Sequence, residues 1–430
     1  MSLKSTFRAL QYKNYRLFFI GQGLSLIGTW MQRIATSWLV YRLTNSVVLL
    51  GITGFAGQIP TFFLSPFGGI IADKWNRKNI LLVTQILALL QALLLAVLVL
   101  TNAITVYLII ILNVCLGVIN AFDITARQSF VVEMIEKKED LGNAIALNSS
   151  MVNGARLVGP SITGILIAFT GEGVCFLINS LSYVVIIIAL LAMKIVPREK
   201  IIKKTNIIFD FREGFIYAWK SVPMRSTIIL LALVSLMGMP YQVLMPVFAK
   251  QVLGGGPHTY GFLMGATGLG ALAGAMYLAS RKSVHKIWEM IPASAVVFGI
   301  GLIMFSLSKN LWISLALLLI VGWGMMVQMA SSNTLLQVLV DDDKRGRIMA
   351  FYAMAFMGTV PFGSLLAGSL GGIIGVRSTV FLGGVFCIIG AFYLFGDIHK
   401  ARDIMIAQKK EISSKIEEGI ESTKEVSDSL

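Results

Sequence analysis

The sequence predicts an all-α membrane protein with twelve transmembrane helices in two six-helix, pseudo-symmetric bundles. Of its 430 residues, 56% are hydrophobic and 13% are charged, which is too little charge to cover a soluble protein of this length. Apolar runs of about 20 residues recur along the chain, and each is long enough to cross a hydrocarbon core of about 30 Å. The lysines and arginines are concentrated in alternate connections between these runs, as in polytopic membrane proteins.

The apolar runs set the approximate bounds of the spans, which are numbered 1 to 12 in chain order. The predicted spans are residues 16–40, 47–72, 79–100, 104–126, 141–168, 174–195, 225–249, 258–280, 287–307, 311–334, 346–372 and 376–396.

The distribution of positive charge predicts the orientation. The connections on the side of the N-terminus hold 24 lysines and arginines, and those on the opposite side hold 4. Because cytoplasmic connections carry the excess of positive charge, we expect both termini in the cytoplasm. The net charge of +14 then reflects anchoring at the membrane surface, and no nucleic-acid partner is expected.

The longest connection divides the chain into two halves. The predicted segments are an N-terminal bundle at 1–196, a linker at 197–224, a C-terminal bundle at 225–396 and a charged cytoplasmic tail at 397–430. In the linker, Phe211, Phe215 and Trp219 recur at helical spacing between charged residues, which predicts an amphipathic helix on the inner membrane surface. The alternative is a plain charged linker.

The two halves resemble repeats of each other. When the chain is shifted by 204 residues, three glycines of span 5 fall on three glycines of span 11: Gly154, Gly159 and Gly164 on Gly358, Gly363 and Gly368. Parallel repeats of this kind are related by an axis along the membrane normal. This pattern predicts the pseudo-symmetry of the two bundles.

A carboxylate, Asp73, ends span 2 and is followed by a basic turn that contains Lys74, Arg77 and Lys78. A charged group at the edge of the bilayer is costly without a partner. Arg77 and the positive N-terminal end of a neighbouring helix are available partners. Such an acid can latch two bundles in one of two arrangements. The alternative is an ordinary basic turn that happens to contain an acid.

Polar residues recur on one face of several spans, and these stripes predict a central cavity. For a single polar residue we favour an interhelical hydrogen bond instead. The stripes contain Gln22, Ser25, Thr29, Gln32, Arg33 and Thr36 in span 1; Asn113, Asn120, Asp123 and Arg127 in span 4; Ser235, Met239, Tyr241 and Gln242 in span 7; and Trp323, Gln328 and Ser331 in span 10.

Arg33 in span 1 and Arg156 in span 5, near Asn153, are the two basic residues predicted within the membrane. An unpaired charge there costs about 3 kcal/mol or more. Since no predicted span has a carboxylate in its middle, the two cations predict a cavity that attracts anions. The alternative is a fixed internal ion pair between Arg156 and Asp123.

Motifs of soluble enzymes are absent from the sequence. It contains no Gly-x-x-x-x-Gly-Lys-Ser/Thr loop, no His-Glu-x-x-His and no Gly-x-Ser-x-Gly. The three cysteines lie in apolar runs without the spacing of metal ligands. We therefore expect no enzyme activity, no cofactor and no metal site.

Several motifs stand in order along the chain. The pattern Gly-x-x-x-Asp-(Arg/Lys)-x-x-Arg-(Arg/Lys) occupies residues 69–78, and further motifs occupy residues 7–19, 28–33, 38–44, 122–128 and 333–337. Over residues 7–396 they resemble the major facilitator superfamily, in the branch that contains the enterobactin exporter and macrolide efflux proteins. Thr125 stands where that branch usually has proline.

The glycines of span 5 with Pro160 resemble the antiporter motif of exporting facilitators, although Ile165 replaces one glycine. The resemblance implies that spans 1, 4, 7 and 10 line the cavity. It also implies gating or coupling roles for Asp73, Arg77, Asp123, Arg127, Gly159 and Pro160.

The resemblance implies a monomeric exporter of the bacterial inner membrane that alternates between two states, with a small molecule, protons and the lipid bilayer as its partners. The arginines favour an anionic, siderophore-like substrate. Three alternatives stay open: a macrolide or multidrug efflux pump, a lysophospholipid flippase, and an importer of the same substrate class.

The orientation can be tested in a variant that lacks the native cysteines. Cysteines introduced at Thr101 and Gly171 should react with an impermeant thiol reagent added outside, because we place both residues in outward connections. Cysteines at Lys204 and Lys344 should react only after the membrane is permeabilised. The reverse labelling pattern would contradict the predicted orientation.

Overall fold

The computed structural model describes residues 7–194, 207–281, 286–341, 344–400 and 403, and these residues form helices and connections without a strand. Eleven helices are long and apolar enough to cross a membrane. A twelfth, Lys13–Thr44, is 32 residues long and carries the predicted polar stripe of span 1. The predicted all-α membrane fold with twelve spans is confirmed.

The helix bounds follow the predicted spans closely. Spans 1 to 6 are Lys13–Thr44, Val47–Lys74, Arg77–Leu100, Val106–Glu133, Lys138–Thr170 and Glu172–Ala192. Spans 7 to 12 are Val222–Val252, Pro257–Ser280, Ile287–Leu307, Leu311–Leu339, Arg345–Ile373 and Val376–His399. A linker helix, Ile207–Lys220, lies between the halves, and a short 3-10 turn, Arg8–Gln11, precedes span 1.

Three spans differ from the predicted helices. Span 4 continues to Glu133 rather than ending near residue 126, and the ion pair of Asp123 with Arg127 across one helical turn is compatible with this longer helix. Spans 7 and 11 are not uniform α-helices, since π-helical segments interrupt them at Val234–Gly238, Phe248–Val252 and Met354–Gly358.

Several helices begin where a polar side chain caps them. The hydroxyls of Ser46 and Thr105 accept hydrogen bonds from backbone N–H groups in the first turns of spans 2 and 4. The side chains of Asn76 and Asn310 do the same at the starts of spans 3 and 10. These caps satisfy backbone donors that a helix leaves free at its start.

The two halves pack their helices on one plan. In the N-terminal half, span 1 packs against spans 5 and 6, span 3 against spans 4 and 6, and span 2 against span 4. In the C-terminal half, the spans six positions later form the same pairs: 7 with 11 and 12, 9 with 10 and 12, and 8 with 10. The predicted pseudo-symmetry is confirmed.

The halves meet along two symmetric seams, span 5 against span 8 and span 2 against span 11. Each seam contains two facing glycines, Gly164 with Gly261 and Gly51 with Gly368. A Cβ added at Gly164 or at Gly51 would lie 2.7 Å from the Cα atom of the opposite glycine. The backbones therefore touch, which only residues this small allow.

We call the face that bears the start of span 1 and the end of span 2 the basic face, and the opposite one the far face. At the far face, the Nζ atom of Lys250 donates a hydrogen bond of 3.0 Å to Oδ1 of Asn45 in the other half. The rings of Trp38 and Tyr260 stack across the halves with their centroids 6.2 Å apart. Since both glycine pairs also lie near the far ends of their helices, the halves are closed against each other there.

The predicted linker helix packs against the start of span 11. The carboxylate of Glu213 pairs with Arg347 at 2.7 Å, and the ring centroid of Phe215 lies 6.1 Å from that of Phe351. Phe215 and Trp219 stack on the helix surface and are about half exposed. Its position on a membrane surface stays a prediction. Residues 195–196 of the predicted N-terminal bundle, residues 197–206 of the predicted linker and most of the predicted tail lie outside the described residues.

The glycine seam can be tested with one enlarged side chain. Gly164→Val should weaken closure of the far face, because the added side chain meets the backbone of Gly261. A cysteine introduced at Thr53 should then react faster with an impermeant thiol reagent added from that face. Gly142→Val is the matched control, since a Cβ there meets no atom within 4 Å. Equal rates in the two variants would show that the glycine pair does not hold the face closed.

Candidate functional site

A central cavity with a volume of about 200 Å³ lies between the halves. Spans 1, 2 and 4 form one wall, and spans 7 and 8 form the other. Typical small-molecule sites measure roughly 300–1,000 Å³, so a ligand of that size can be accommodated only if the halves separate. Seven residues of the predicted polar stripes line this cavity: Thr29, Gln32, Arg33, Thr36, Asn113, Asn120 and Gln242.

Four other predicted cavity residues lie elsewhere in the bundle, and a fifth, Arg156, lies beside Trp30 but is not among the lining residues. Tyr241 is buried, and its ring packs edge-on against Phe298. Asn153 donates a hydrogen bond to its own helix, to the carbonyl of Ser149. The remaining two are in span 10. The ring of Trp323 packs on Tyr277, and buried Gln328 donates to the hydroxyl of Ser332.

Span 10 therefore contributes no residue to the cavity lining among the described residues, contrary to the expectation. The stripe identifies a polar face correctly, but that face is covered by neighbouring helices. A side chain that bonds to its own or an adjacent helix satisfies its polar atoms without a cavity, as in many membrane bundles.

The two arginines lie close to one aromatic ring. The guanidinium carbon of Arg33 is 5.3 Å from the ring centroid of Trp30, and that of Arg156 is 5.7 Å from it. Nη2 of Arg156 also lies 3.6 Å from Sδ of Met325 in the other half. Within the described part of the chain, no carboxylate oxygen lies within 4 Å of either guanidinium group.

Asp123 has its partners in spans 3 and 4. Its carboxylate pairs with Arg127 at 3.0 Å and accepts hydrogen bonds from Nε2 of Gln85 at 2.7 Å and from Oγ1 of Thr84 at 3.2 Å. The alternative ion pair with Arg156 is therefore not formed. The reason is local, since Arg127 lies one turn away on the same helix.

A smaller side pocket lies between this buried carboxylate and residues that also line the central cavity. Gln22, Asp123 and Arg127 line the pocket, and its lining shares Thr29 and Asn120 with the cavity. The pocket measures about 40 Å³, which is room for a water molecule with several polar partners. The arrangement places a carboxylate beside the cavity without exposing it there.

The basic turn after span 2 forms a chain of charges. Arg77 pairs with Glu133 at 2.6 Å and with Asp73 at 3.6 Å. The side chain of Asp73 is 75% exposed, so its predicted contact with a neighbouring helix N-terminus is not made in this state. Glu133 was not predicted, because its pairing with the turn depends on how far span 4 extends.

Gly159 and Pro160 lie where span 5 meets spans 1 and 8. A Cβ added at Gly159 would lie 2.6 Å from Cβ of Trp30. The carbonyl of Pro160 lies against Gly261 in the other half, where an added Cβ would approach it to 2.8 Å. These two residues therefore provide close helix contacts on both sides of span 5.

Sequence reasoning missed two aromatic residues of the cavity lining, Trp30 and Tyr260. Trp30 precedes Arg33 by three residues and so shares its helix face, which was an available signal. Tyr260 comes from span 8, for which no polar stripe was recognised. Its place in the lining follows from the seam between spans 5 and 8.

A chain of buried amides behind the cavity was also missed. Nε2 of Gln32 donates to Oε1 of Gln91 at 2.9 Å, and Nδ2 of Asn179 donates to Oε1 of Gln32 at 2.6 Å. Gln91 in turn donates to the carbonyl of Leu112. The chain ties spans 1, 3, 4 and 6 together, so its first role is to hold the wall of the cavity.

Two pseudo-symmetric six-helix bundles around a polar central cavity define a transporter of the major facilitator class. The model of the transmembrane secretion effector family matches residues 4–417. The chain therefore belongs to this family of major facilitator transporters, and the predicted resemblance is confirmed.

Similar proteins agree with this class. The chain is 25% identical over 381 residues to the staphyloferrin A transporter of Staphylococcus aureus, covering 88% of this chain and 95% of that protein. It is 20% identical to macrolide efflux protein A of Streptococcus pyogenes, covering 91% and 98%. It is 24% identical to the enterobactin exporter of Shigella boydii, covering 83% and 85%.

Among solved structures, a bacterial homologue of the lysosomal transporter Spinster, in an inward-facing and unoccupied conformation, superposes with a TM-score of 0.70 at 14% identity. The match covers 91% of this chain and 98% of that one. At this identity the likeness concerns the fold alone.

The latch role of Asp73 can be separated from a structural role. Asp73→Asn should leave the melting temperature nearly unchanged, because an exposed pair contributes about 1 kcal/mol or less. The latch hypothesis, in which Asp73 pairs with the other bundle in the opposite state only, predicts that the variant transports more slowly. Glu133→Gln is the comparison variant and should lower the melting temperature, because Glu133 forms the shorter and less exposed pair with Arg77. Normal transport by Asp73→Asn would make it an ordinary turn residue.

Proposed function

We propose that this transporter exports a small anionic, siderophore-like molecule across the bacterial inner membrane by alternating access, driven by the proton gradient. The observation that carries the proposal is a pair of arginines without a carboxylate partner among the described residues: Arg33 lines the cavity, and Arg156 lies beside the lining residue Trp30.

The positive charge of the cavity favours a substrate with a negative charge. Removing a charged group from water is costly, and an opposite charge in the substrate offsets that cost. A guanidinium group also offers several N–H donors in a fixed plane that matches a carboxylate. The opposite wall is neutral, with Gln242, Val243, Tyr260 and Met264. An anion with a neutral portion fits these two walls.

Alternating access is supported by the two symmetric seams. They close the far face in this state, and opening them while the basic face closes would carry the cavity from one side to the other. With the basic face in the cytoplasm, the present state would receive substrate from the cytoplasm. Asp73 would then bind the neighbouring bundle in the opposite state.

Proton coupling is assigned to the side pocket. Asp123 is the carboxylate that lies beside the cavity, through a pocket that shares Thr29 and Asn120 with it. Arg127 and two hydrogen-bond donors, Gln85 and Thr84, occupy this carboxylate in the present state. We assign the coupling step to the opposite state, in which Arg127 has moved away.

The printed names of two relatives, a staphyloferrin A transporter and an enterobactin exporter, favour a siderophore-like substrate and, in the second case, export. A second candidate function is macrolide or multidrug efflux. The aromatic and methionine residues of the neutral wall and the macrolide efflux relative favour it. Two unpaired arginines oppose it for any cationic drug.

Arg156 provides the test. Compounds that accumulate in the medium of complemented cells but not of deletion cells identify the exported substrate and the direction. Arg156→Ala should abolish that export, and Arg156→Lys should retain part of it, because the charge stays while the planar fork is lost. Arg281→Ala is the matched control, since Arg281 is exposed on the basic face and contacts Tyr277.

The melting temperature distinguishes a substrate-binding role of Arg156 from an ion pair between Arg156 and Asp123. Arg156→Ala should fold normally, whereas Asp123→Ala should be destabilised because it leaves Arg127 without its partner. Asp123→Asn should bind substrate but no longer respond to a pH gradient. Recovered export and stability in the double variant Arg156→Ala/Asp123→Ala would contradict the anion site. Unchanged export by Arg156→Ala would do so directly.

A further inference from the structure

Trp30 is the residue that Arg33 and Arg156 share. It lines the central cavity, and both guanidinium carbons lie within 6 Å of its ring centroid. This is the range in which the negative face of an indole attracts a cation. Among the described residues neither arginine has a carboxylate partner, and the ring is a partner that the two have in common.

Helix packing sets the position from which the Trp30 side chain starts. Span 5 approaches span 1 so closely at Gly159 that a Cβ added there would lie 2.6 Å from Cβ of Trp30 and 3.1 Å from the carbonyl oxygen of Ile27. The Cβ atom of Trp30 is therefore held against span 5. The long arginine side chains can leave the ring without any movement of these two helices.

A cation–π contact suits a binding site that must be emptied and refilled. A resident carboxylate would neutralise the arginines more strongly and would compete with an anionic substrate for every hydrogen bond. An indole face attracts the cations but accepts none of their directed N–H bonds as a carboxylate does. The arginines thus keep their donors available for an incoming anion.

We propose that Trp30 is the resident partner of Arg33 and Arg156 in the empty cavity, and that an anion must draw the guanidinium groups away from the ring in order to bind. This inference rests on the proposed function, which assigns the anion to these arginines. Trp30 is then a specificity-determining residue. An anion binds only when its hydrogen bonds to the guanidinium groups are stronger than the attraction of these groups to the ring.

The inference predicts that removing the ring tightens anion binding. Sulfate is the probe, titrated at constant ionic strength into the purified full-length protein in detergent, with the melting temperature as the readout. Trp30→Leu should bind sulfate about fivefold more tightly, because the anion no longer competes with the indole. Trp30→Phe, which keeps a weaker π face, should lie between wild type and Trp30→Leu, and it decides the question if the leucine variant does not fold.

Trp219→Leu is the matched control. The guanidinium carbon of Arg225 lies 5.7 Å from the ring centroid of Trp219. Trp219 itself is on the linker helix, outside the cavity. Its loss should leave sulfate affinity unchanged.

The possible results separate this inference from the proposed function. Sulfate affinity that is unchanged or weaker in Trp30→Leu and Trp30→Phe, with normal binding by wild type, would overturn the role of Trp30 alone. Equal binding by wild type and Arg33→Ala/Arg156→Ala would overturn the anion site itself. Absence of sulfate binding in the wild type and in every variant would overturn both the role of Trp30 and the anion site.

Discussion

The contact of backbone on backbone at the two glycine pairs is the constraint on which the rest of the structure depends. Gly164 with Gly261 and Gly51 with Gly368 bring the halves together at the far ends of their helices. Side chains larger than hydrogen at these positions would hold the halves apart. Because both pairs lie near one face, they close the bundle there and leave the cavity between the halves. The pseudo-symmetry of the two halves makes the two seams alike, so both can open in one motion.

The charge of the cavity is asymmetric even though the helix packing is symmetric. Both membrane arginines come from the N-terminal half, and position 360 of the C-terminal half, which corresponds to Arg156, is valine. Spans 7 and 8 face these cations with neutral residues. Symmetric helix packing can therefore hold an asymmetric binding site. The packing depends on small residues at the seams, whereas the positive charge depends on a few residues of spans 1 and 5. Gly159 links the two, since it belongs to the packing of span 5 and also seats Trp30.

The interpretations of single polar residues show where sequence reasoning reached its limit. Thr29, Arg33, Asn113, Asn120 and Gln242 line the cavity as expected. Gln328 came from an equally good stripe and Asn153 was predicted from its place near Arg156, yet both form hydrogen bonds within their own helices. A stripe predicts that residues share a helix face, whereas the neighbour that covers this face is decided by the packing of other helices. The same holds for Asp123, whose acceptor positions are taken by spans 3 and 4 and not by Arg156.

The sequence by itself determined the membrane class, the number and order of the spans, their division into two related halves, and the presence of two membrane arginines without a central acid. Those properties depend on local composition and periodicity, because a bilayer requires long apolar helices whatever they later contact. Only the tertiary structure decided which face is closed, which polar residues reach the cavity, and that one tryptophan lies beside both arginines. These are long-range properties: Trp30 and Arg156 are far apart in the chain, and they meet because Gly159 lets span 5 approach span 1.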